Sequence, residues 1–320
     1  MTRFEQLTMA AALAVAVVVP LIFDTYLVRV AATALYFVVL ASSWNLLLGY
    51  AGVLSFAHAA FAAVGAYTSG LLCRYTEIPP LLGVVAGGLL AGLVGWALAR
   101  MCLKLRGPYL ALMTIGFSEI LRLVLQIEHE VTRGSLGLEM PYLFDLAEPN
   151  HTLGYFVMLG LAVVSLYVVY RMVNSEAGLY LKAVREDEDV AMTLGVDTVK
   201  WKTYAFVVSS LLAGLAGGLF AHLFVQVIAP QMLLLSEMGL ILAMTIVGGM
   251  GTLAGPVIGA ILLVFGQEQL REISPHAHLL IFATLVILVM RFFRRGIFGL
   301  IQDRLRSRGW LTVIPPITRL

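Results

Sequence analysis

Leu81-Leu-Gly-Val-Val-Ala-Gly-Gly-Leu-Leu-Ala-Gly-Leu-Val-Gly-Trp-Ala-Leu-Ala99 contains no charged or strongly polar side chain. A helix of this length, at 1.5 Å per residue, is about as long as a bilayer core is thick. Nine further stretches of similar character surround it: 7–23, 30–48, 53–73, 108–127, 153–172, 203–225, 237–250, 254–270 and 277–292. The whole chain agrees with this reading. Of its 320 residues 60% are apolar and 12% charged, and the mean hydropathy is +0.94. Soluble domains carry about 25% charged residues, too many fewer here to cover a globule of this size. The expected fold class is an all-α polytopic membrane protein of about ten transmembrane helices. A soluble enzyme, a disordered chain and a nucleic-acid binder are excluded. The start resembles a signal peptide, but Pro20-Leu-Ile-Phe-Asp24 offers no small-residue cleavage site, so 7–23 reads as an uncleaved first span.

The positive residues orient the chain. With both termini cytoplasmic, sixteen of the 21 Lys and Arg residues fall on the inner side, four (Arg29, Arg74, Arg133, Arg271) on the outer side, and Arg122 inside a span. Residues 1–295 then form the membrane domain, with an outer loop at 128–152 and a cytoplasmic loop at 173–202, and 296–320 form a basic cytoplasmic tail. Cys73 and Cys102 fall on opposite sides, which argues against a disulfide. Spans 237–250 and 254–270 are short and separated only by Gly251-Thr-Leu-Ala254, so they read as a tight hairpin or as half-helices.

Gly87, Gly88, Gly92 and Gly95 in the fourth span, and Gly214, Gly217 and Gly218 in the seventh, have the spacing that lets helix backbones approach closely in lipid. A weak internal echo also stands out: Gly49-x-x-Gly52-x-Leu54 and Gly248-x-x-Gly251-x-Leu253.

Chemistry-bearing motifs are few. No phosphate loop G-x-x-x-x-G-K-[ST], zinc-binding H-E-x-x-H or Cys/His cluster occurs, so no catalytic residue, metal or cofactor is expected. Ionisable residues inside spans are costly. His58 and the i, i+3 pair Glu119–Arg122 read either as interhelical packing contacts or as pathway residues, and so does Asn45 beside Ser42 and Ser43. The cytoplasmic loop is the most distinctive segment. Its acid run Glu186-Asp-Glu-Asp189 suits the positive end of a helix, Gly195 suits a left-handed cap, and two short amphipathic helices follow from the pattern. It is either a solvated connector or a docking element for a soluble partner.

Four stretches carry a family resemblance: Ser43-Trp-Asn-Leu-Leu-Leu-Gly-Tyr-Ala-Gly-Val-Leu-Ser-Phe-Ala-His-Ala-Ala-Phe-Ala-Ala-Val-Gly-Ala-Tyr67, Gly107-Pro-Tyr-Leu-Ala-Leu-Met-Thr-Ile-Gly-Phe-Ser-Glu-Ile-Leu-Arg122, Ala183-Val-Arg-Glu-Asp-Glu-Asp-Val-Ala-Met-Thr-Leu-Gly-Val196 and Ile246-Val-Gly-Gly-Met-Gly-Thr-Leu-Ala-Gly-Pro-Val-Ile-Gly-Ala260. With Thr132-Arg-Gly-Ser-Leu-Gly-Leu138, they resemble the LivM-type permease subunits of branched-chain amino acid ABC transporters over most of residues 30–295. Ala57 and Ala63 stand where that family usually has Gly. The resemblance implies a bacterial inner-membrane importer subunit for leucine, isoleucine or valine. It would pair with a second homologous permease, two cytoplasmic ABC ATPase subunits and an extracytoplasmic substrate-binding protein. It also implies that Ala183, Arg185, Glu186, Asp187, Ala191, Leu194 and Gly195 form the ATPase-coupling contact. Alternatives are a related importer for urea, amides or other small solutes, and an ion-coupled secondary transporter using Glu119 or His58.

Overall fold

A computed structural model describes residues 16–20, 22–103, 105, 107–144, 151–225 and 227–273, with 283, 284, 287 and 296–299. Most of the expected last span, of the first span and of the basic tail lies outside the described residues. Helices α1 (Thr25–Asn45, extended by a π-helical turn Leu46–Tyr50), α2 (His58–Thr76), α3 (Pro80–Cys102), α4 (Pro108–Ile127) and α5 (His151–Val173) come first. The short α6 (Glu176–Glu186) and α7 (Glu188–Thr193) follow, then α8 (Thr198–Phe224), α9 (Leu235–Gly248) and α10 (Ala254–Ile273). Five of these segments are long and apolar enough to cross a membrane: Thr25–Tyr50, α3, α4, α5 and α8. The fold is all-α and polytopic; strand appears among the described residues as the two-residue pair β1 (Leu138–Glu139) and β2 (Val227–Ile228).

In lipid the apolar surface of one helix gains little by leaving lipid for another, so close backbone approach must hold the bundle. The glycine spacing supplies it. α8 lies against α2 and α3. At their junction a Cβ on Gly214 would run into Ala91, and one on Gly65 into the Gly214 carbonyl. α1 packs between α5 and α10, and α9 pairs with α10 in a hairpin, one of the two forms that the sequence left open. Both cysteines are buried and free.

The bundle has two distinguishable ends. One carries α6 and α7. The other carries the 128–144 loop, pinned by His222: Nδ1 donates to the Pro141 carbonyl (2.7 Å), Nε2 accepts from the Ser69 hydroxyl (2.7 Å), and the Leu143 N–H bonds the His222 carbonyl (3.1 Å). Sequence pattern gave no sign of this clamp, because its members lie on three separate segments.

One boundary departs from the sequence reading. The third span was expected to begin at residue 53, but α2 begins at His58, and 52–57 is outside any helix.

Candidate functional site

The break between α1 and α2 is the most constrained part of the molecule. Non-helical backbone within a bilayer leaves donors and acceptors that lipid cannot satisfy, at several kcal/mol each. Here the protein satisfies several of them. The Trp44 indole N–H donates to the Ser55 carbonyl (2.7 Å), and the Val53 N–H reaches the Leu47 carbonyl (3.0 Å). From α4, the Thr114 hydroxyl accepts the Phe56 N–H (2.9 Å) and the Ser118 hydroxyl donates to the Phe56 carbonyl (3.0 Å). The Ala57 N–H reaches the Ser55 hydroxyl at 3.3 Å.

His58 opens α2 at this break and is fully buried. Its Nε2 lies 2.6 Å from the Ser209 hydroxyl, which donates its one hydrogen to the Ser43 carbonyl (2.6 Å). Ser209 must therefore accept from Nε2–H. That leaves the buried Nδ1 without a partner among the described residues.

The two glycine motifs meet in space, and Asn45 joins them. Its amide donates to the Thr252 carbonyl (2.8 Å), and its oxygen accepts the Gly251 N–H (2.9 Å). Gly52 and Gly251, the corresponding second glycines, both have positive φ, +69° and +78°. Only glycine takes such turns without strain. Above this junction lies Arg185 of α6. Its guanidinium donates to the Gly49 carbonyl and passes close to Gly251, while its backbone and side-chain stem lie against Gly52. A single residue of the loop thus touches both glycine turns.

The loop itself is two short helices, as its pattern predicted. Leu181 and Val184 are buried on the inner face of α6, and Tyr180 stacks on Trp201 of α8 with ring centroids 4.9 Å apart. A Lys202–Glu188 ion pair (2.6 Å) ties α7 to α8. The acid run divides differently from the expectation. Glu186 ends α6, and Asp187 is the N-cap of α7, accepting the Asp189 and Val190 N–H groups at 3.0 Å each. A cap needs extended backbone, and only Asp187 has it, which splits the run after its first residue. Gly195, with φ +83°, closes α7: the Gly195 N–H bonds Met192 and the Val196 N–H bonds Ala191, the paired bonds of a left-handed cap. Ala183, Arg185, Glu186, Asp187, Leu194 and Gly195 lie on exposed positions. Ala191 is buried and seats α7 on the chain, so it offers no surface to a partner. Leu179, Val190 and Leu194 are exposed apolar side chains at this end.

Glu119 and Arg122 do pair, with Arg122 Nε donating to the carboxylate at 3.0 Å and Nη1 to the Gln126 side chain at 2.9 Å. The pair is not buried between helices of this chain. α4 packs loosely, and the Glu119 side chain is half exposed on its outward face. Asn45, His58, the glycine turns and Arg185 therefore form one connected region, while Glu119 and Arg122 stand apart on another surface. Among the described residues no group of three His, Cys, Asp or Glu side chains could hold a metal. Ser209, Thr114 and Ser118 escaped the sequence reading. Isolated hydroxyls in apolar helices carry no spacing signal, and their partners lie 58 or more positions away.

Residues 26–291, more than half of the chain, match the family described as "Branched-chain amino acid transport system / permease component". The "High-affinity branched-chain amino acid transport system permease protein LivM" of Escherichia coli (strain K12) is 30% identical over 95% of this chain and 77% of its own length. The corresponding LivH protein of the same strain is 23% identical over 82% of this chain and 91% of its own. The "Probable branched-chain amino acid transport permease protein LivH" of Methanocaldococcus jannaschii is 28% identical over 67% of this chain and 70% of its own.

Proposed function

This chain belongs to the family of permease components of branched-chain amino acid transport systems, and from that premise we propose that it is one half of the membrane channel of an ATP-driven importer of leucine, isoleucine or valine. The reading places it in a bacterial inner membrane, with the α6–α7 end in the cytoplasm. It pairs with a second, homologous permease, receives solute from an extracytoplasmic binding protein, and is worked by two separate ATPases. It performs no covalent step itself.

The observation that carries the reading is the link from loop to membrane. α6 and α7 present exposed apolar side chains, Leu179, Val190 and Leu194, beside the acids Glu186 and Asp187. Such a surface suits a soluble partner. Behind it, Arg185 bonds Gly49 and sits against Gly52 and Gly251. A push on α6 reaches α1, α2, α9 and α10 at their shared turn. Turns pinned by a few hydrogen bonds have discrete alternative arrangements, as alternating access requires. In this account Arg185 and Asn45 transmit the motion, and Ala183, Glu186, Asp187, Leu194 and Gly195 meet the ATPase.

The test is reconstitution into proteoliposomes with the partner permease, ATPases and binding protein. Leucine uptake should require ATP. Charge reversal, Glu186→Lys with Asp187→Lys, should abolish it while membrane insertion stays normal. Unchanged uptake by that variant would remove the docking role. Uptake by the chain alone, driven by a proton or sodium gradient, would replace the proposal with a secondary transporter.

A further inference from the structure

A cavity of about 420 Å³ lies among α1, α8, α9 and the segment between α8 and α9. It runs from Ile228 and Gln231, at the end opposite α6 and α7, inward to Ala59 beside the break at the start of α2. Its size falls in the lower part of the small-molecule range, about 300–1,000 Å³. Much of its wall is apolar: Phe37, Leu40, Phe220 and Ile241. Against that lining stands one acidic side chain, Glu237 in the first turn of α9. No cation lies within ion-pair distance of it among the described residues.

A carboxylate without a counter-ion in a membrane helix is costly and marks a place where a cation arrives. A lipid tail would gain nothing from it, and among the described residues no group of three His, Cys, Asp or Glu side chains gathers there to hold a metal ion. The cavity instead matches a molecule with a compact apolar body and one ammonium group. Gln231 and the hydroxyl of Tyr36, also in the wall, offer donors suited to a carboxylate at the other end.

We infer that this cavity is a transit station for an apolar α-amino acid, with Glu237 receiving its ammonium group and Phe37, Leu40 and Ile241 its side chain. The inference rests on the importer reading, and it names the residues that hold the solute on its way from the outer face to the break at 52–57.

The experiment reads occupancy directly. In the assembled transporter Met232, which lines the cavity, is replaced (Met232→Cys), and its reaction with an impermeant maleimide is timed. The native thiols Cys73 and Cys102 are buried. L-Leucine and 3-methylbutylamine, at about ten times their dissociation constants, should each slow labelling about tenfold. 4-Methylpentanoate, which has the apolar body without the ammonium, should not protect. Adding Glu237→Gln should remove the protection while the partner subunits still copurify, and Glu237→Asp should restore part of it.

Protection by 4-methylpentanoate equal to that by leucine, or protection surviving Glu237→Gln, would overturn the inference. So would loss of the partner permease on Glu237→Gln, which would show that the carboxylate seats a cation of that chain. ATP-dependent uptake is scored separately in the unlabelled transporter. Intact ammonium-dependent protection without such uptake would support the station and count against the importer reading alone.

Discussion

The two glycine turns begin alike and then diverge. Gly49-x-x-Gly52 and Gly248-x-x-Gly251 both bend through a second glycine of positive φ, the second is bonded by Asn45 from the helix that leads into the first, and both are approached by Arg185. After Gly251 the chain returns to helix at Ala254; after Gly52 it stays out of helix until His58. The next residue in register is Thr252 in one turn and Val53 in the other. The Thr252 hydroxyl accepts the Gly255 N–H (3.0 Å) and donates to the Gly249 carbonyl (2.8 Å), capping α10 as it starts. Val53 has no such group, so a helix begun there would leave its first N–H groups bare. Thr114 and Ser118 of α4 then capture Phe56 and fix the non-helical path. The same turn thus yields a closed hairpin in one place and an opened helix in the other, and the choice lies in one hydroxyl and its competitors.

The largest test of this comparison is Asn45→Ala. It leaves the Gly251 N–H and the Thr252 carbonyl without their partner and separates the two turns. With about 1–3 kcal/mol for each of the two buried groups left unpaired, the loss should be about 2–6 kcal/mol, read as a lowered unfolding midpoint in detergent. An unchanged midpoint would mean that the turns do not depend on each other.

Next is Thr114→Val. It deprives the Phe56 N–H of its acceptor and should cost about 1–2 kcal/mol. It should also raise proteolysis or hydrogen exchange within 52–57 but not at 249–253. Equal changes in both turns would erase the distinction between them. Thr252→Val removes a cap and should cost about 1 kcal/mol, with faster exchange at Gly255; no change there would show that the hydroxyl does not decide where α10 begins. The smallest effect is expected from Glu119→Gln, on the outward face of α4 and outside both turns. Unfolding and substrate preference should stay close to those of the parent chain. A changed preference at normal protein levels would bring that pair into the pathway.

Much of this architecture can be read from the residues. Helical spans, glycine-mediated packing of α3 and α8 and the two loop helices follow from local pattern, a hairpin is one of two forms it allows for α9 and α10, and Gly195 announces its own cap. The echo of Gly49–Leu54 in Gly248–Leu253 is likewise visible. What pattern cannot give is who satisfies whom. Phe56 depends on hydroxyls 58 and 62 positions away, and Asn45 on a turn more than 200 positions away. Arg185 looks from sequence like one more charge in a solvated loop, yet it reaches 136 positions back to Gly49. Glu119 and Arg122 show the opposite case. Their pairing is legible from i, i+3 spacing, but the face of α4 they occupy is set by packing. Glu237 carried no motif, and it gains meaning only from the cavity around it.

On the proposed function, a loop outside the membrane works the turns inside it through Arg185. The most direct measurement of this is leucine uptake and ATP hydrolysis, recorded together, in the assembled transporter carrying Arg185→Ala. The account predicts that hydrolysis continues while uptake falls at least tenfold, because the ATPases still dock on α6 and α7 but no longer move the glycine turns. Uptake that keeps its normal ratio to hydrolysis in this variant would contradict it.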